Sequence, residues 1–134
     1  MYGALDISTS ALVANRIRLD VISANVANQG TILNAQGEYE PYRRRAVVFA
    51  PGDPASGSTR GVHVAAIEID QSPLRPKYEP GSPFADAEGY VFYPNVHGVT
   101  EQMNAMEAAR SYEANITVLE ATKSMMSVAL QILA

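Results

Sequence analysis

His63 and His97 are the only imidazoles in this 134-residue chain, and imidazole is the side chain best suited to proton transfer or metal ligation near neutral pH. They stand 34 residues apart, one on an expected strand and one just ahead of an expected helix. Each therefore reads as an ordinary half-exposed structural histidine. Asp86 and Glu88 are spaced like a carboxylate pair, but they belong to DAEG, a tight-turn sequence whose acids face solvent. DAEG is also too short to supply the oxygen ligands calcium needs. The chain has no cysteine, so it has no thiol nucleophile, disulfide or thiolate metal site. It contains no HExxH, no GxSxG and no glycine-rich phosphate loop after a strand. The expectation is a protein that is not an enzyme and holds neither cofactor nor metal.

Charge narrows the choice of partner. The formal net charge is −4, whereas a phosphate binder normally carries a basic field, so nucleic acid is not expected. The one basic cluster, Arg43-Arg44-Arg45, follows the acidic Glu38 and Glu40 and reads as a solvated strand edge. No membrane insertion is expected either, because Glu101, Glu107, Arg110, Glu113, Glu120 and Lys123 punctuate the apolar C-terminal segment. The N-terminus MYGALDISTS carries Asp6 and lacks the basic start and apolar core of a cleavable secretory signal.

The elements behind these residues are set by proline. All eight prolines fall between residues 41 and 94, and each would cost about 3 kcal/mol in a helix interior, so the two ends can be helical and the middle cannot. The first helix is expected over about residues 6 to 28, capped by Asp6 or Ser8 and stopped at Gly30. Leu5, Leu12, Leu19 and Val26 recur at seven-residue intervals, with Ile22 filling in and polar Ser8 and Asn15 at companion positions that should pack less firmly. The second helix is expected over about 99 to 133, capped by Asn95 or Thr100, with Glu101 near the positive end of its dipole. Strands are expected at Arg45 to Ala50, Val62 to Asp70 (with a bulge near Ala65 and Ala66) and Tyr90 to Tyr93, and the segment 51 to 61 reads as a loop.

The second helix is apolar on two sides. Tyr112, Ile116, Leu119, Met126, Leu130 and Leu133 form an a/d seam interrupted by Lys123. Val118, Ala121, Met125, Val128 and Ile132 form another stripe roughly 160° around the helix. A chain of this size cannot surround such a helix by itself. The economical arrangement is an antiparallel helical pair in which Leu12, Leu19, Ile22 and Val26 face Ile116, Leu119, Met126 and Leu130. That leaves the Val118 to Ile132 stripe for other chains.

NVANQGT, Asn25 to Thr31, resembles the Asn-Ile/Leu-Ala-Asn-x-x-Thr signature of the flagellar rod and hook proteins, with Asn25, Ala27, Asn28 and Thr31 at the matching positions. ALDISTSALVANRIRLDVISANVAN resembles the setting of that signature, although Ala24 stands where the family commonly has asparagine. PYRRRAVVF at 41 to 49, EGYVFYPNV at 88 to 96 and ARSYEANITVLEATKSM at 109 to 125 resemble, in the same order, the proximal rod members of that family. The resemblance implies export through the flagellar type III apparatus without signal cleavage and co-assembly with other rod proteins, and with copies of itself, around a central channel.

The combined expectation is an α+β fold in which residues 1–31 and 98–134 form a helical module of the inner tube and residues 32–97 a β-rich insertion. The expected function is that of a structural subunit of the basal-body rod, a hollow shaft that transmits torque and passes exported subunits. A coiled-coil export chaperone or adaptor is the alternative from another class.

Overall fold

The computed structural model describes residues 2–134, apart from the Tyr2 side chain; residue 1 of the expected terminal module lies outside them. In chain order the elements are α1 (Tyr2–Ala27), β1 (Arg45–Asp53), β2 (Ser58–Ile69), β3 (Arg75–Tyr78), β4 (Tyr90–Tyr93) and α2 (Gly98–Leu133). The fold is α+β, as expected. Both helices are free of proline, and every proline lies in the segment between them.

The helix ends differ from the expected caps. Ser8 is interior to α1 and only 4 % exposed, and the helix already runs from Tyr2, so neither Asp6 nor Ser8 caps it. Helix α2 begins after His97, whose extended backbone carries no side-chain cap. Thr100 lies within the first turn, and Asn95 is engaged elsewhere. At the C-terminal end of α1 the closing residue is Asn28. Its backbone N–H and its Nδ2 both donate to the Ala24 carbonyl, at 3.1 and 2.8 Å, and Thr31 Oγ1 donates to Asn28 Oδ1 at 3.2 Å. These bonds satisfy a carbonyl left open by the end of the helix.

Strands β1 and β2 form one antiparallel hairpin, and β3 and β4 a second two-stranded sheet. In the first hairpin Val48 pairs with Ala66 and Phe49 with Val64, which leaves Ala65 as the extra residue of a bulge at the expected place. The segment 51 to 61 is more ordered than its composition suggests, because β1 continues through Pro51 to Asp53 and β2 begins at Ser58. A proline is tolerated there since a two-stranded sheet has open edges. The same reason admits Pro76 into β3, a strand absent from the sequence reading.

The two helices run antiparallel. Asn25 Nδ2 lies 3.4 Å from Glu101 Oε2, and Arg18 Nη2 lies 3.6 Å from Glu107 Oε2. The first hairpin packs on another flank of α1, where Ala14 is buried. Gly61 permits this approach: its φ is 86°, and a Cβ there would fall 2.6 Å from Ser10 Oγ. Ser10 Oγ in turn accepts the Val62 N–H at 3.1 Å. Among the described residues the buried apolar side chains are Ala14, Ile22, Val91, Pro94, Val96 and Ala108, beside buried Ser8, Asn15, Asn25, Asn95 and Glu101. So small an apolar interior leaves much of the chain's apolar stock on its surface.

Candidate functional site

At the junction of α1, α2 and the first hairpin sits a polar interlock built on Asn25. This residue lies on the flank of α1 that faces α2 and is fully buried. Its Oδ1 accepts from Tyr42 Oη at 2.9 Å and from the Arg45 N–H at 3.0 Å; its Nδ2 donates to the Arg45 carbonyl at 2.8 Å and to Glu101 Oε2 at 3.4 Å. The full hydrogen-bonding capacity of one amide is therefore used. Two of those bonds clasp both backbone groups of Arg45 and so hold the first residue of β1 against the end of α1.

Glu101, one turn into α2, has no exposed side-chain surface and pairs with Arg44 Nε. Arg44 Nη1 also reaches Asp70 Oδ2 at 3.5 Å. Asn95 accepts the Arg44 N–H at 2.8 Å and donates to the carbonyls of Asp70 and Ser72, both at 3.1 Å. The ends of both helices and of the hairpin are thus joined by one network, in which no buried side-chain polar atom of the described residues lacks a partner. Burial raises the Tyr42 phenol above its usual pKa, opposed by Arg45 and reinforced by Glu101, so it stays a hydrogen-bond donor. Hydrogen bonds from Ser72, with the nearby Arg44 guanidinium, hold the Asp70 carboxyl below the usual carboxylate range.

This arrangement can do no acid–base or metal chemistry that is visible in its geometry. No cluster of three His, Asp or Glu side chains could hold a metal among the described residues. His63 Nδ1 is tied to the Gly52 carbonyl at 2.8 Å. What the interlock does is mechanical: it fixes the β-rich middle to the helical pair.

The predicted helix-pair residues divide. Ile22 is buried, and Leu12, Leu19, Ile116, Leu119 and Met126 are half-buried. Val26 and Leu130 are exposed, at 38 and 65 %. Leu130 keeps the line of Leu119 and Met126, but α2 has 36 residues and α1 only 26. At the spacing set by the Asn25/Glu101 and Arg18/Glu107 pairs, α1 is used up opposite roughly residue 124, and the last part of α2 overhangs it. The line facing α2 also holds Ser8 and Asn15, both buried, so these polar positions lie inside the pairing and are not loosely packed. Asn15 Nδ2 donates to the Ala11 carbonyl at 3.0 Å.

All five residues of the second α2 stripe, Val118, Ala121, Met125, Val128 and Ile132, are exposed. By length and composition α2 could cross a membrane, yet one flank of it packs on α1. Of the family-signature positions, Asn25 anchors the interlock, Asn28 and Thr31 close α1, and Ala27 is exposed at the helix end. The sequence reading missed Tyr42, took Asn95 for a helix cap and Arg44 for part of a solvated edge, and gave Glu101 only a dipole role. A glutamate and an asparagine on the flanks where two helices meet were the available signal. Arg43-Arg44-Arg45 is only in part a solvated edge.

Two family models match the chain: "Flagella basal body rod protein" over residues 5–31 and "Flagellar basal body rod FlgEFG protein C-terminal" over residues 87–132. Those segments cover most of α1 and most of α2. Among curated proteins, the flagellar basal-body rod protein FlgC of Salmonella typhimurium is 46% identical over 126 residues, covering 94% of this chain and 92% of its own length. The protein of that name from Bacillus subtilis is 41% identical, with 98% and 97% covered, and that from Borreliella burgdorferi 40% identical, with 99% and 97% covered.

Proposed function

Because this chain belongs to the FlgC family of flagellar basal-body rod proteins and is a structural subunit of that rod, not an enzyme, we propose that it works by interlocking helices along a hollow shaft that carries torque and passes exported subunits. In this reading residues 1–31 with 98–134 form the tube-building module and residues 32–97 the outer one, with the Asn25–Arg44–Glu101 interlock passing load between them. The stripe Val118, Ala121, Met125, Val128 and Ile132 is the face presented to neighbouring rod subunits. The observation that carries the reading is the exposure of that whole stripe, with Met125 at 62 % and Ile132 at 79 %, on a helix whose other flank is already occupied.

Burying each large side chain of the stripe stabilises association by about 1.5–3 kcal/mol, and a carboxylate placed there is desolvated without a partner. Met125→Asp is therefore expected to leave secretion near the parental level and to abolish motility, while Leu119→Asp, on the flank turned to α1, is expected to reduce both. Motile cells carrying Met125→Asp would remove the stripe from the assembly. Recognition by the type III export apparatus through the uncleaved N-terminal segment belongs to the same reading, and secretion that persists after removal of residues 2–30 counts against it.

A further inference from the structure

The edge of a sheet presents backbone groups that need partners, and this molecule supplies most of its own edges with them. Along β1 the Arg44 carbonyl accepts the Asp70 N–H at 2.8 Å, so Arg44 faces β2. Arg45 faces the other way, and Asn25 takes both its N–H and its carbonyl, at 3.0 and 2.8 Å. The edge beyond it lies beside α1, where Ala46 and Val47 share a small cleft with Arg18 and Ile22. On β4, Tyr39 Oη plays the same part for Phe92, accepting its N–H at 2.9 Å and donating to its carbonyl at 3.0 Å. Opposite Phe92 on β3 stands Pro76, which has no N–H to leave open.

The C-terminal half of β2 is different. Backbone groups in an antiparallel pair face the partner strand and the outer edge in alternation. Ile69 pairs with Arg45 and Ile67 with Val47, so the N–H and carbonyl of both isoleucines point away from β1. No loop or side-chain hydrogen bond of the described residues reaches them. Every residue from Ala65 to Ile69 is exposed, with Ile67 at 49 % and Ile69 at 53 %. The stretch AAIEI has neither proline nor lysine, the residues that commonly guard an edge. Its two isoleucines share one face of the strand, and Glu68 stands on the other, with no ion pair among the described residues.

We infer that this edge receives a β-strand from a different protein of the assembly, an extended segment that pairs with Ile67 and Ile69 and carries a basic residue beside Glu68. The chemistry of the edge selects that occupant. Two N–H groups and two carbonyls, repeating about 7 Å apart along the strand, are matched by the backbone of another strand, which offers donors and acceptors in the same alternation. A helix spends those groups within itself. The bare isoleucines gain cross-strand neighbours in the same step.

Charge argues against a second copy as the donor. A two-fold pairing of identical edges can bring the outward-facing residues together in three ways. Centred on Glu68, it sets Glu68 against Glu68; centred on Ile69, it sets Glu68 against Asp70, and like charges directly opposite are destabilising. Centred on Ile67, it sets Ile69 against Ala65, the bulged residue, where regular pairing stops. A foreign strand with a basic residue at that place relieves Glu68 instead. None of this depends on the α2 stripe, which lies on another element.

Proline provides the test, because at position 67 it removes an N–H that the hairpin does not use. Ile67→Pro is compared with Ile67→Ala, which also loses the isoleucine side chain but keeps the N–H. Thermal unfolding of the purified monomer, secretion, and the amount of protein in isolated basal bodies are measured for both. Ile67→Pro is expected to match Ile67→Ala in the first two and to fall roughly tenfold below it in the third, the effect of losing about one hydrogen bond with its partner left open. Amide exchange on the unaltered protein supplies a reading free of any variant: the Ile67 and Ile69 amides should exchange freely in the monomer and at least about tenfold more slowly in basal bodies. Glu68→Lys should incorporate less well than Glu68→Gln, since the incoming basic residue then meets a like charge.

Equal incorporation of Ile67→Pro and Ile67→Ala overturns the inference, and so do amides that exchange as fast in basal bodies as in the monomer. Should Ile67→Pro disturb the hairpin itself, the exchange measurement decides alone. Because the chain has no cysteine, oxidised basal bodies carrying Ile67→Cys test the occupant directly. A disulfide dimer between two copies there overturns the assignment to a different protein, and its absence together with protected amides supports it. Better incorporation of Glu68→Lys than of Glu68→Gln would remove the basic residue from the incoming strand.

Discussion

The two ends of α2 are made from one continuous helix and have opposite surroundings. Near its start Glu101 is fully buried, paired with Arg44 and bonded to Asn25. Near its finish Leu130, Ile132 and Leu133 are 65, 79 and 83 % exposed. An ordinary globular protein reverses this, burying leucine and leaving glutamate in water. The inversion follows from what each end must hold. A charged pair with a complete set of hydrogen bonds fixes one geometry within the chain, whereas unpaired leucines have no preferred partner until another surface covers them. On the flank that carries Glu101 the start of α2 is an internal joint, although Val99, Met103 and Met106 beside it are exposed, and the finish is bare.

The comparison is broken most forcefully at the interlock. Glu101→Ala strips Arg44 and Asn25 of a buried partner, and breaking such a pair costs about 3 kcal/mol. The low end of the usual range applies because the Arg44 side chain is 23 % exposed and retains Asp70. Urea unfolding of the secreted monomer should show this loss, with Glu101→Gln intermediate because an amide can still accept from Arg44. A change below about 0.5 kcal/mol would mean that the network is ornamental.

Asp70 sharpens the same end through pH. Its folded pKa lies below the ordinary carboxylate value through hydrogen bonds from Ser72 and the nearby Arg44. The folded state therefore binds that proton less readily than the unfolded chain does. The resulting stabilisation is fully present above the unfolded-state pKa and disappears as pH falls through the folded one. Asp70→Asn should be less stable than the parent at neutral pH, and the difference should close on the acid side. A gap that stays constant into acid would remove Asp70 from the pH response.

The smallest effect belongs to the free end. Leu130→Ser should alter monomer stability by less than about 0.5 kcal/mol, because α1 has already ended opposite that turn. A loss comparable to that of Glu101→Ala would show that the overhang is packed within the monomer, and the contrast between the two ends would vanish.

The middle of the chain shows where local sequence was sufficient and where it was not. Tyr90–Tyr93 was legible as a strand, and the bulge at Ala65 was legible from a shift in alternation, because both depend on neighbours within a few residues. Strand β3 was hidden by Pro76. A proline argues against a strand unless the sheet edge beside it is open, and that depends on what pairs with it. Pro51 concealed the outer part of the hairpin in the same way.

The amino-acid order alone determined that the ends are helices and the centre is not, through proline placement. It also determined that α2 carries more apolar surface than 134 residues can cover, and that the chain lacks cysteine and the common catalytic motifs. Those conclusions need only composition and periodicity, which are properties of a single stretch. Tertiary structure decided that Arg44 and Glu101, 57 positions apart, meet in a buried pair, that Asn25 spends its whole amide on the joint, and that Ser8 and Asn15 lie within the helix pairing. It also decided that α2 outruns α1, so that Leu130 on the seam is as bare as the stripe beside it. The reason is physical: a polar residue is tolerated inside only when a particular distant group completes its hydrogen bonds. No local pattern states which group the fold will bring.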